Sequence, residues 1–169
     1  MNKDEVFGIF ESTNHKSISV IACDTANVKD MNIMFSKCSS LEKLDIKNFN
    51  TTNVTNMSYM FSNCSSLENL NLNNFNTTNV TDMGGMFSWC SNLTELNLKN
   101  FNTKNVTNMG NMFFDCSNLK KLKIGDNFNT KNNLNVENMF YNCDNLPEEI
   151  RNNLNDVEGI INFFKGKNK

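Results

Sequence analysis

Apolar residues along the chain follow two alternating spacings, and the alternation returns at one fixed interval, marked by Met31, Met57, Met83 and Met109. The first spacing is Met31, Met34, Phe35, Cys38, repeated as Met57, Met60, Phe61, Cys64, as Met83, Met86, Phe87, Cys90, and as Met109, Met112, Phe113, Cys116. Positions i, i+3, i+4 and i+7 share one face of a helix, so a helix of about two turns is expected in each unit. The second spacing is Leu41-x-x-Leu44-x-Ile46, then Leu67-x-x-Leu70-x-Leu72, Leu93-x-x-Leu96-x-Leu98 and Leu119-x-x-Leu122-x-Ile124. Its last two members alternate like a strand with one buried face. Phe49, Phe75, Phe101 and Phe128 close each strand before Phe-Asn-Thr turns the chain toward the next unit.

Asp30, Asn56, Asp82, Asn108 and Asn135 precede the first spacing in successive copies. Each short side chain can accept a hydrogen bond from the second or third amide that follows. They are therefore read as N-caps, each contributing roughly 0.5 to 2 kcal/mol over alanine. Ile18, Val20 and Cys23 precede Leu44, Ile46 and Phe49 by one full period, so a worn copy begins at Ile18. Residues 1–17 do not fit the unit; Val6, Phe7, Ile9 and Phe10 are expected to cover the open end of the first coil. From Cys116 to Cys143 the step is longer by one, and the extra residue predicts a bulged turn at Gly125-Asp126-Asn127. Pro147 and the two glutamates after it mark a helix start. Ile150, Leu154, Val157, Ile160, Ile161, Phe163 and Phe164 then supply the apolar face of a C-terminal helical cap.

The L-x-x-L-x-L element is the strand signature of a leucine-rich repeat. The expected fold is an α/β repeat solenoid: a right-handed, leucine-rich-repeat-like stack with one short strand and one short helix per 26-residue coil. One domain results, with an N-terminal cap over 1–17, about five coils over 18–146, and a helical cap and tail over 147–169. A lone unit cannot offset the roughly 1 to 2 kcal/mol per residue of backbone ordering, so burial against neighbours on both sides is required. Strands pack about 4.7 to 4.9 Å apart and helices about 8 to 10 Å, a mismatch that predicts a modest arc with the strands on its concave side.

Composition narrows the function classes. The net charge is −2 and the lysines are scattered among acids, so the basic footprint of a nucleic-acid binder is missing. Residues 1–10 hold no uninterrupted apolar run, and no run of about 18 apolar residues could cross a bilayer, so a soluble chain without an export signal or membrane insertion is expected. Asparagine makes up about a fifth of the residues, which makes Asn-x-Thr triplets such as Asn53-Val54-Thr55 poor evidence of glycosylation.

Five of the six cysteines fall at one repeat position, none in a C-x-x-C pair, and the single histidine, His15, lies outside the series. Neither a zinc site nor any other metal or cofactor is expected; the thiols are read as free and buried, with inter-coil disulfides as the alternative. The methionine stripe is read as core. With no nucleophile–base pair, carboxylate pair or phosphate loop, the protein is not expected to be an enzyme. Thr51, Thr77, Thr103 and Thr130 share a register that would suit an ice-binding array, but Lys104 and Lys131 break it and no thermal hysteresis is expected.

The candidate partner-binding residues lie between the inward leucines. They are Lys43, Asp45 and Lys47, then Asn69, Asn71 and Asn73, then Glu95, Asn97 and Lys99, then Lys121 and Lys123, a polar stripe that grows more basic toward the C-terminus. A solvated face without a ligand is the bland alternative. Tyr59, Trp89 and Phe114 are secondary candidates, placed on or near the outer face of the expected helices, where they either anchor a partner or lie over the neighbouring coil.

The unit Phe-Asn-Thr-x-Asn-Val-Thr-[Asn/Asp]-Met-x-x-Met-Phe-x-x-Cys-Ser-x-Leu-x-x-Leu-x-Leu resembles the repeat of BspA-like leucine-rich-repeat surface proteins, in their 26-residue bacterial class. The likeness covers residues 18–146. It implies a non-catalytic protein that binds a protein ligand, adhesin-like and at the cell surface or outside the cell; a monomer is expected. The alternative is an intracellular structural or interaction module in the cytoplasm.

Overall fold

The computed structural model describes residues 8–21, 23–128 and 134–148. Val6, Phe7, Thr130, Lys131 and the apolar face from Ile150 to Phe164 lie outside these, as does nearly all of the expected C-terminal cap.

The segments expected to be helical are chains of tight turns, and none of the described residues from 8 to 146 is helical. In the first copy Met34 N donates to Met31 O at 3.3 Å, Ser36 N to Ile33 O at 2.9 Å and Cys38 N to Phe35 O at 3.3 Å. Ile33 and Lys37 have φ near 60°. A positive φ at the third residue is what a type II turn requires. Such residues fall in two columns among the described residues, one of Gly8, Ile33, Tyr59, Gly85, Asn111 and Asn138, the other of Ser12, Lys37, Asn63, Trp89, Asp115 and Asn142.

These left-handed residues turn alternate amides out of the coil. Met31, Ile33, Phe35 and Lys37 donate to the carbonyls of Asn56, Ser58, Met60 and Ser62, at 3.0, 3.1, 2.9 and 2.7 Å. The same four-bond ladder recurs at each following interface, with Asp30, Asn56, Asp82, Asn108 and Asn135 bridged in parallel. A helix would have satisfied these amides within its own coil; here the next coil does so. Met, Met, Phe and Cys still point inward, which is why the i, i+3, i+4, i+7 spacing does not distinguish the two conformations. The segments are also rich in Ser, Asn and Gly, which favour turns over helix interiors.

Two further expectations change. The expected arc depends on helices packed about 8 to 10 Å apart; with a hydrogen-bonded ladder on that face, its cause is absent. Residues 8–13 are a sixth copy of the turn face, with Phe10 N bonded to Met34 O at 3.0 Å and Ser12 N to Ser36 O at 2.9 Å. The sequence hides this copy because its offset is shorter by one and Thr13 replaces the cysteine.

On the opposite face, β1 (Ser17–Ser19) pairs in parallel with β2 (Lys43–Asp45), and β3 (Glu95–Leu98) with β4 (Lys121–Ile124). The register steps by one full repeat in both, Ile18 against Leu44 and Leu96 against Leu122. No strand forms at 67–72, so two small sheets flank a coil that on this face meets the next one through a single backbone bond, Thr94 N to Glu68 O at 3.4 Å. Asn69, Asn71 and Asn73 crowd that coil, and asparagine is depleted in strands because its side chain competes for backbone groups.

Between the faces runs one core. Phe10, Phe35, Phe61, Phe87, Phe113 and Phe140 form a ring ladder with centroids 5.1 to 5.8 Å apart and planes within 13° of parallel. The methionines from Met31 to Met139, the five register cysteines and the inward leucines fill the remainder. Cys23, Cys38, Cys64, Cys90, Cys116 and Cys143 are all free thiols.

Candidate functional site

Most polar groups of the repeat are engaged between coils. The side-chain oxygens of Asp30, Asn56, Asp82, Asn108 and Asn135 accept from the amide two residues on, at 2.8 to 3.0 Å, so they hold Asx-type turns where helix caps were expected. The Thr51 hydroxyl donates to Asn76 O at 3.0 Å and accepts from Asn76 N at 2.7 Å; Thr25 and Thr77 do the same one coil away. Thr25, Thr51, Thr77 and Thr103 are only 1% exposed, so these hydroxyls cannot present an ice-binding array. Asn53, Asn79 and Asn105 donate to the carbonyls of Ala26, Thr52 and Thr78 at 2.7 to 2.8 Å. The asparagine-rich composition thereby acquires a structural cause.

The cysteines do more than fill space. Cys64, Cys90, Cys116 and Cys143 donate to the carbonyls of Phe35, Phe61, Phe87 and Phe113 in the preceding coil, at 3.0 to 3.2 Å. Burial pushes the Cys90 and Cys143 thiols up to about 12. Cys38 continues the ladder to Phe10 O at 2.9 Å, and hydrogen bonding to Cys64 draws its thiol down to about 6 against the effect of burial. Among the described residues no group of three His, Cys, Asp or Glu side chains could hold a metal.

What remains open is the strand face. Over the coil at 67–72 lies a cleft of about 690 Å³ whose lining includes Lys43, Asn69, Asn71, Asn73, Glu95 and Asn97 from the predicted stripe. Glu42, Ser66, Glu68 and Thr94 complete its polar walls; Glu42, Glu68 and Thr94 are outward positions of the same leucine pattern and Ser66 directly precedes it, and the stripe expected from the sequence did not include them. Lys47, Lys99, Lys121 and Lys123 fall outside the lining, as does Asp45.

The stripe is less uniform than its sequence suggests. Asp45, Asn71 and Asn97 each accept the amide two residues on, at 3.1 to 3.2 Å, and so end the strand segment with a turn. Lys47 pairs with Asp45 at 3.1 Å, while Lys121 at 3.5 Å and Lys123 both reach Glu95. Lys123 and then Lys121 hold the Glu95 carboxyl below its usual range, and the basic end of the stripe is partly neutralised. Asn69, Asn73 and Lys99 have no side-chain partner among the described residues.

The aromatics lie on the turn face. The Tyr59 ring covers Gly85 of the following coil yet is 41% exposed. Trp89 meets Phe114 at 5.2 Å, and Phe114 stacks on Tyr141 at 4.9 Å. Tyr141 was missed in the sequence although it follows Phe114 in register, one coil on; the longer last step concealed it.

A crystal structure of a leucine-rich cell surface protein from Faecalibacterium prausnitzii A2-165 resembles the chain at 22% identity and a TM-score of 0.42, covering 60% of this chain and 26% of that one. The chain thus spans about a quarter of that protein's length. No curated protein matches. The BspA-like repeat read in the residues agrees with the family comparison. Over residues 4–93 and 67–169 the sequence matches the family described as Mycoplasma protein of unknown function, DUF285, and the chain belongs to that family.

Proposed function

We propose that this is a non-catalytic, monomeric repeat protein that binds a protein partner through the strand-face cleft. The observation that carries the reading is the gathering of Lys43, Asn69, Asn71, Asn73, Glu95 and Asn97 around one hollow, while the other repeating polar groups serve the coil-to-coil ladder. Asparagine carboxamides offer both donors and acceptors, which suits a polar peptide surface. Fold alone does not set function; the residues of this site do. In the same reading the stacked coils continue as a right-handed solenoid with capped ends, carrying no cofactor.

The test is capture of partners on immobilised protein from the native organism's own extract and its surroundings. Asn69→Arg with Asn73→Arg should abolish capture of any specifically retained partner without changing the melting temperature. Equal capture by the double variant would refute the cleft reading.

A surface or extracellular, adhesin-like role follows from the BspA-like resemblance. The six free thiols favour the second reading, a module kept in a reducing compartment, because exported proteins tend to oxidise their cysteines. Protease shaving of intact cells separates the two: digestion supports the surface, and protection with recovery from cytosol supports the interior.

A further inference from the structure

At one position of the turn face Glu11 in the N-terminal copy is followed by serine in the next three coils and by aromatic rings in the last two. Ser36, Ser62 and Ser88 occupy it in turn, each at most 5% exposed, and are followed there by Phe114 and Tyr141. Serine therefore meets the structural demand at this place, with Ser62 and Ser88 bonded through their hydroxyls at 2.9 Å. The aromatic rings are additions that the ladder does not need. Beside them Trp89 has φ 58°, in a column that otherwise carries Ser12, Lys37, Asn63, Asp115 and Asn142 and no other aromatic. Asparagine and aspartate adopt this left-handed backbone more readily than a bulky side chain does. Trp89 and Tyr141 nonetheless remain 45% and 54% exposed.

We propose that Trp89, Phe114 and Tyr141, together with Asp115 and Asp144, form a second interaction surface that takes the cationic side chains of an arginine- or lysine-bearing segment of a protein partner. Charge selects this occupant. Residues 85–92, 111–118 and 137–145, which make up this part of the turn face, contain Asp115, Glu137 and Asp144 and no lysine or arginine. Asp115 occupies the Trp89 column one coil on, and its amide bonds to Tyr141 O at 2.8 Å. The Asp115 carboxylate accepts from Asn142 Nδ2 at 3.4 Å, which holds it beside the residue that follows Tyr141.

Indole is the best aromatic partner for a cation, and nearby carboxylates add attraction that a neutral ligand cannot use. The ring geometry also argues against a sugar. Phe114 and Tyr141 stack on one another within 18° and Trp89 tilts by 56°, so the rings do not lie side by side as a flat platform.

Trp89 is the only tryptophan and reports on its own site. The intact protein is titrated, at low salt, with a synthetic peptide alternating glycine and arginine, with its glycine–glutamate counterpart, and with a cello-oligosaccharide. The arginine peptide should change Trp89 emission saturably and the other two should not. Asp115→Asn with Asp144→Asn should weaken binding about five-fold, the size of two exposed ion pairs, while Asp126→Asn leaves it unchanged. Trp89→Asn, which suits the left-handed backbone, should abolish the heat of binding in calorimetry. Absence of a saturable change, equal affinity in the Asp115/Asp144 variant, retained binding in Trp89→Asn, or a preference for the saccharide or the glutamate peptide would each overturn the proposal.

Discussion

Gly85→Ala separates the turn ladder from a helix by the sign of its effect. Gly85 is the third residue of the turn closed by Met86 N to Met83 O at 3.2 Å, and its φ is 60°. In a helix interior, alanine would gain about 0.8 to 1.0 kcal/mol over glycine. In the left-handed conformation it instead costs about 1 to 2 kcal/mol. A Cβ at this place would also lie 2.3 Å from Tyr59 Cε1, so the ring must move. That ring is partly exposed and can swing outward, adding on the order of 1 kcal/mol. The sum is a loss of about 2 to 3 kcal/mol, or about 4 to 12 °C in melting temperature for a chain of this size.

Denaturant unfolding followed by Trp89 emission, four residues away, measures the change beside far-UV dichroism. In a Tyr59→Ala background the ring conflict is gone, and only the backbone cost should remain. The reciprocal change, Asn111→Gly in the same column at φ 57°, should be neutral or slightly stabilising. A helix would lose stability from that glycine. A raised midpoint for Gly85→Ala would refute the turn ladder outright.

Three other outcomes follow from the same geometry. Gly125→Ala places its Cβ 2.1 Å from the Lys99 carbonyl oxygen, backbone that cannot swing aside, and should cost at least about 1 to 3 kcal/mol in thermal unfolding; unchanged stability would contradict the close coil contact. A thiol reagent at about pH 8, near the ordinary thiol value, should label the half-exposed Cys23 first, with Cys64, Cys90, Cys116 and Cys143 reacting only as the chain unfolds; rapid native labelling of these four would refute their burial. The Glu95 carboxyl should titrate below the usual carboxylate range and return upward in Lys123→Met, as read by NMR. Because this carboxyl is depressed on folding, its contribution to stability is present above its unfolded value and fades as pH falls through the folded one. An unshifted Glu95 would disprove the contact.

Period and burial were legible in the chain, because inward residues recur at fixed intervals whatever conformation carries them. Met57, Met60, Phe61, Cys64, Leu67, Leu70 and Leu72 are all buried as their spacing predicts. Conformation was not legible in the same way. A chain of tight turns with a left-handed residue in every second one presents the same four inward positions as a two-turn helix, and the distinguishing sign is the left-handed columns, where Ile33, Tyr59 and Trp89 give no warning. Asn63, Asn111, Asn138 and Asn142 in these columns are the residues that could have raised it. The stripe was traced correctly as outward, but its ion pairs and turn bonds depend on which coils form strands. The loss of strand pairing at 67–72 created a cleft that no spacing announces.

The turn ladder also explains how a polar repeat can hold together. A helix closes its own amides and meets its neighbours only through side chains, so its polar residues remain available on the surface. Here each coil depends on the next for the amides at Met57, Tyr59, Phe61 and Asn63. The thiols, threonines and many asparagines add side-chain bonds across the same interfaces. Their regularity is therefore a property of stacking. Function must be sought where the register is broken, because only those positions escape the demand that every coil match its neighbours. Two such breaks lie on opposite faces: the asparagines that interrupt the strands, and the aromatics that replace buried serines. A partner gripping both would have to wrap the stack, whereas two separate partners could bind together, and competition between a cleft-captured partner and the arginine peptide distinguishes these arrangements.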